Sequence, residues 1–199
     1  SDQAVMKVYR EEVSPRIDLL VDTSASMFVT PEKGVQTHRI LRFCVESSLA
    51  MSASIHVFYL TGQGMKPVPL ESVLQDGCEA LGPAGRGQSE EDLVLQNSFP
   101  SLRPGSLRIF LSDLLYSEDP KAVLRPLIKD RGRAVLLAPY DYSEEAPEWQ
   151  GNLHLENCET GRIRRQRVSS SLLNTYKRAY RRHLSIWREQ ARILDIGFA

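Results

Sequence analysis

Four short apolar runs, at residues 17–21, 55–60, 107–111 and 134–138, limit what this chain can fold into. Each is too short for a buried helix and nearly free of polar interruption, so each reads as a strand buried on both faces. Between the first two, Ile40, Leu41, Phe43, Cys44, Leu49 and Ala50 fall at mostly helical spacing and predict a helix over 36–52. Pro31 and Gly34 read as the loop before it. Strands that alternate with helices imply βαβ units, hence an α/β fold with a mainly parallel central sheet and helices on both faces.

The rest of the chain fills in around that frame. Residues 5–11 alternate weakly and predict a short strand, with 1–14 an N-terminal extension or edge strand. Residues 67–70 predict an edge strand, where Pro67 is tolerated, and 71–80 a helix. The glycine-rich "GPAGRGQSEEDLVLQNSF" predicts a loop and then a short helix capped by Ser89. In "SEDPKAVLRPLIKD", Ser117 or Asp119 caps a helix with proline in its first turn. Acidic "YDYSEEAPEW" reads as loop, and Thr160-Gly161 in "CETGR" as a hairpin turn between two strand-like pieces. The longest helix is expected over 169–192, with Leu172, Tyr176, Tyr180, His183, Leu184, Trp187 and Ala191 as its apolar stripe. A length of 199 residues suits one domain, 1–199.

No apolar run approaches the roughly 18 residues of a membrane span, and no leader-like segment opens the chain. Cys44, Cys78 and Cys158 are odd in number and lack a CxxC, which argues against a disulfide framework and a thiolate zinc site. The four histidines (His38, His56, His154, His183) form no metal-binding pair. The expected compartment is cytoplasmic; a longer protein with an upstream membrane segment is the alternative. Net charge is zero but uneven, since 162–192 holds ten Lys/Arg against one acid, a local +9. Such a segment is a solvated helix face or a surface for polyanions.

The first run ends in an unusual way. "IDLLVDTSASM" passes from buried strand into Asp22, Thr23, Ser24 and Ser26, a carboxylate and short hydroxyls. In open parallel sheets ligands gather outside the carboxyl ends of the strands. That rule brings Asp22, Asp113 after the third run, and the loop holding Ser89 to one edge. Hard divalent cations such as Mg2+ take oxygen ligands of this kind, with Mn2+ or Ca2+ as alternatives. The expected metal ligands are therefore Asp22, Ser24, Ser26, Ser89 and Asp113. A purely local role, with the serines capping the next turn, explains the hydroxyls but not two carboxylates on one edge.

Asp22-x-Ser24-x-Ser26 after an apolar strand resembles the metal-ion-dependent adhesion site of von Willebrand factor A domains. There a DxSxS loop, a threonine from a second loop and an aspartate from a third hold one cation. Asp113 in "IFLSDLL" matches the third loop, and Ser89 in "GRGQS" stands where threonine is usual. A narrower resemblance covers nearly the whole chain. "YREEVSPRIDLLVDTSASM", "RIFLSDLL" and "LENCETGRIRRQRV…YKRAYRRHLSIWREQA" are similar to the domain-of-unknown-function 58 family, with "ENCETGR" in place of that family's usual "D-P-E-T-G-E". The resemblance implies a von Willebrand factor A-like, Rossmann-like three-layer sandwich and a MoxR-type AAA+ ATPase as partner.

Enzymatic readings fit less well. An aspartic protease needs glycine where Ser24 follows "DT", and a β-rich fold. An aspartyl phosphotransferase needs an acid where Ser24 stands. No GxSxG, Walker loop or GxGxxG accompanies a strand, and no histidine lies beside a ligand loop in the sequence. The expectation is a non-enzymatic, cation-dependent protein-binding module whose partner offers Asp or Glu to the metal. Nucleic-acid or other polyanion binding through 162–192 is the alternative.

Overall fold

In a computed structural model that describes residues 14–61, 64–75, 99 and 101–199, the first run becomes β1 (Arg16–Asp22), buried at every position after Arg16. A 3-10 turn, Ala25–Phe28, leads to α1 (Pro31–Ala50). β2 (Ser54–Thr61), β3 (Gly64–Val68) and the short α2 (Leu70–Gln75) follow. Next come β4 (Leu107–Leu111), α3 (Pro120–Leu124), a 3-10 stretch over Arg125–Arg131, and β5 (Arg133–Leu137). A single-turn α4 (Tyr142–Glu145) precedes the hairpin of β6 (Gly151–Glu156) and β7 (Ile163–Val168). The long α5 (Ser170–Ile193) and the two-residue β8 (Gly197–Phe198) come last.

The main sheet has the order β3-β2-β1-β4-β5-β8, with β3 antiparallel and every other pairing parallel. β6 and β7 pair only with each other, as a separate two-stranded sheet. β1 side chains alternate between two cores. Leu19 and Val21 pack with Leu41, Cys44 and Val45 of α1, while Leu20 packs with Val123 and Leu124 of α3 and Trp187 and Ala191 of α5. Both faces of the sheet are therefore covered, which is why the strands read as continuous apolar runs. This is the α/β, von Willebrand factor A-like sandwich that the sequence implies. The strand order reverses direction between β1 and β4, and ligands of doubly wound sheets bind at such a switch point.

Several boundaries differ from the sequence reading. α1 begins at Pro31, not at 36, because Thr30 is its N-cap, accepting from Lys33 N–H at 3.2 Å, and Pro31 fills the first-turn position that needs no N–H. β3 lies at Gly64–Val68, so Leu70 belongs to α2 instead of the edge strand. The acidic stretch read as loop holds α4, closed by a capping box of Asp141 and Glu144. In α5 the buried stripe narrows to Trp187 and Ala191, and Leu172 is 40% exposed. β8 is too short to leave a periodic signal. The strand at 5–11, the continuation of the 71–80 helix, Cys78, and the glycine-rich loop with Ser89 lie outside the described residues.

Candidate metal centre

Asp18 and Asp22 bracket β1, and the two buried carboxylates have different partners. At the amino end, Asp18 accepts from Arg103 Nε (2.7 Å), Arg103 N (3.0 Å) and Ser106 Oγ (2.7 Å), an interior ion pair that fastens the loop before β4. At the carboxyl end, Asp22 is fully buried and meets no cationic side chain among the described residues. Its Oδ1 accepts from Ser24 N–H at 2.8 Å, and its Oδ2 accepts from Ser112 Oγ at 2.8 Å and from the Tyr116 hydroxyl. Burial and then the nearby Asp113 charge raise its pKa from 3.8 to about 6, against the lowering effect of those hydrogen bonds.

The remaining expected ligands gather around it. Ser24 and Ser26 place their hydroxyl oxygens 3.0 Å apart. Asp113 follows β4, next to β1 in the sheet, and its backbone N–H points at Met27 Sδ, 3.1 Å away. Its Oδ1 accepts from Leu115 N–H at 3.2 Å, and its Oδ2 meets Lys33 Nζ at 2.8 Å. The structure thus brings together Asp22, Ser24, Ser26 and Asp113; Ser89 is outside the described residues.

This donor set fits a hard divalent cation in its chemistry. The Asp113 charge adds to the cost of ionising the buried Asp22, beside paired hydroxyls, and a positive ion between the two carboxylates would relieve it. Among the described residues no group of three or more His, Cys, Asp or Glu is placed to hold a metal, so hydroxyls and water would complete the shell.

Four residues at the centre escaped the sequence reading. Lys33, with no exposed side-chain surface, bridges Asp113 and Glu144, at 2.8 and 2.7 Å. Burial works against its charge, but the two carboxylates outweigh that and hold its pKa above the ordinary value. Glu144 is itself pushed up by burial despite Lys33. The signal for Lys33 lies in the stripe Lys33, Thr37, Leu41, Cys44 and Ser48, the buried face of α1 once the helix is started at Pro31. Tyr116, third after Asp113, packs its ring toward Trp187 of α5 and so carries Asp22's support from the opposite face. Glu159, in the "CETGR" turn, spans the Ser24–Ser26 loop. Its Oε1 accepts from Ser26 N–H at 2.8 Å and its Oε2 from Ala25 N–H at 3.1 Å.

Lys33 stays charged between two acids, and burial, then Glu159, push the Cys158 thiol up to about 11. The fold does bring one histidine to a ligand loop, contrary to the sequence reading. His183 Nε2 lies 2.7 Å from the Leu114 carbonyl and 3.1 Å from Trp187 Nε1. A cavity of about 330 Å3 reaches Asp113 from the α5 side, past Tyr180, Arg181 and Phe198; its walls include neither the serine loop nor Glu159.

The chain matches no protein-family model and no curated protein. Among solved structures it is similar to a conserved hypothetical protein, BatB, from Bacteroides thetaiotaomicron. The identity is 13% over 90% of this chain and 100% of that one, with a TM-score of 0.45. It is similar also to an aerotolerance-related membrane protein from Bacteroides fragilis, at 12% identity over the same shares, with a TM-score of 0.47. Proximal thread matrix protein 1 of the mussel byssus shares 20% identity over 64% of this chain and 38% of its own, with a TM-score of 0.42. The fold assignment stands on the strand order and directions given above. No helix among the described residues is long and apolar enough to cross a membrane.

Proposed function

We propose that this protein is a non-enzymatic protein-interaction module whose site, Asp22, Ser24, Ser26 and Asp113 with Ser89 as the expected further ligand, binds Mg2+ or a similar divalent cation. The observation that carries the reading is the meeting of Asp22 and Asp113 at the switch point, two buried carboxylates, where burial and then the Asp113 charge raise Asp22 to about 6. A bound cation with open positions accepts an Asp or Glu from a partner, which makes association metal-dependent. The resemblance to the domain-of-unknown-function 58 family supports a MoxR-type AAA+ ATPase as that partner, and the odd, widely spaced cysteines support a cytoplasmic setting. Metal should raise the melting temperature by linkage, about 2.7 kcal/mol at a hundredfold excess over Kd. The test is melting in EDTA against Mg2+ and Mn2+, for wild type and Asp22→Ala. A shift in wild type and none in a folded Asp22→Ala is expected; no shift at millimolar metal removes the cation site.

A second reading has its own observation. Arg162, Arg164, Arg165 and Arg167 are all exposed on or beside β7, and none makes an ion pair among the described residues. That surface suits a polyanion.

A further inference from the structure

Glu159 has no part in the ligand set, yet its carboxylate bonds both N–H groups of the loop that carries Ser24 and Ser26, across 133 and 134 positions of sequence. We propose that Glu159 caps the cation site in cis, held by the hairpin tip on the loop rim that an outside carboxylate has to reach. This rests on the cation reading above and adds its regulation: a partner's acid gains the loop only by displacing the protein's own.

The tip is built to present that carboxylate. Asn157 Oδ1 accepts from Glu159 N–H and from Thr160 N–H, both at 2.9 Å, while Gly161 N–H bonds the Asn157 carbonyl at 2.8 Å. Gly161 takes φ +69°, a conformation that favours glycine, and lets the chain return into β7. The turn therefore holds its own shape, and Glu159 leaves it to reach the loop. Its charge is met there by backbone N–H groups, since it makes no ion pair among the described residues. The half-buried Cys158 thiol beside it feels the charges of Glu159, Asp113 and Lys33, which places the tip at the centre's edge.

The cap is also removable. Among the described residues β6 and β7 pair only with each other, so lifting the tip breaks none of the main-sheet pairings given above. A two-stranded ribbon has little stability of its own. Charge-assisted bonds such as those from Glu159 are strong enough to seat it and weak enough to be exchanged for a competitor's.

The test uses the full chain as wild type, Glu159→Ala and Glu159→Gln, in EDTA and in Mg2+. Hydrogen exchange at the Ala25 and Ser26 amides should rise on the order of tenfold in Glu159→Ala, the scale of one charge-assisted hydrogen bond, and less in Glu159→Gln. Amides of β1 and α1 should keep their wild-type rates. A labelled peptide of residues 157–162 should bind Glu159→Ala about tenfold more tightly than wild type, and its Glu→Gln counterpart should show no such preference. Unchanged exchange at Ala25 and Ser26, faster exchange throughout the chain, or equal peptide binding to both proteins overturns the cap. If Mg2+ shifts the melting of neither protein, the cation reading falls, while the exchange result in EDTA still decides the cap.

Discussion

Asp22 is a carboxylate with no exposed surface, and its three hydrogen bonds offset only part of the cost of its charge. A folded pKa near 6 against an ordinary 3.8 means that the native state holds this proton more tightly than the unfolded chain does. Without metal, the stabilisation from that proton is full below the ordinary value and is lost as pH rises through about 6. The slope is at most about 1.4 kcal/mol per pH unit for one proton. Asp22→Asn removes the titration. In EDTA its melting temperature should gain on wild type as pH rises from about 4 to about 6, then hold a constant difference. Parallel profiles would show that Asp22 does not titrate in that window. In Mg2+ wild type should recover and the variant should not, because the cation supplies what the proton supplied. Lys33 already performs a share of this for Asp113, which is why the strain falls on Asp22.

At the scale of elements, legibility in the sequence followed the range of the interaction. The four main strands were readable because each is buried on both faces, which leaves a continuous apolar run. Asp22, Ser24 and Ser26 were readable because they are neighbours, and Asp113 because it ends a strand. Lys33 meets Asp113 across 80 positions and Glu144 across 111, and Tyr116 meets Asp22 across 94. No local pattern records such pairings, although "CETGR" gave the turn that carries Glu159. The start of α1 was hidden by Pro31 and Gly34, which read as breakers until Thr30 is recognised as a cap. Thr30 has a second bond, from its Oγ1 to Asp141 Oδ2 at 2.6 Å, which ties α1 to the cap of α4. Thr30→Ala should therefore lose more than the about 1 kcal/mol of an ordinary N-cap. Ser169→Ala at the head of α5 is the comparison, since the Ser169 hydroxyl caps α5 by accepting from Leu172 N–H, at 3.3 Å. Denaturant unfolding of both variants decides it; equal losses would mean that the tie to Asp141 adds nothing.

For the molecule as a whole, zero net charge conceals a division, with +9 over residues 162–192 and the balance of acid elsewhere. The structure reduces the part of that excess free to act outward. Arg181 pairs with Glu145 at 2.6 Å, Arg192 with Glu189 at 2.8 Å, and the Arg188 guanidinium lies 5.2 Å over the Phe198 ring. On the hairpin, Arg165 and Arg167 share one face by strand alternation and Arg164 takes the other, while Lys177, Arg178 and Arg182 of α5 also make no ion pair among the described residues. A polyanion held by the hairpin meets at most about four phosphate-binding charges, and log K should fall against log salt with a slope no steeper than about −4. Binding of a duplex DNA probe should be measurable at low salt and weak near physiological ionic strength. Changing Arg164, Arg165 and Arg167 to Glu should abolish it and leave the Mg2+ melting shift intact, because those side chains lie on the arms of the hairpin and not on the tip that reaches Ala25 and Ser26. A steeper slope, or tight binding that persists at physiological salt, would make the hairpin the primary binding surface and the acidic centre its support.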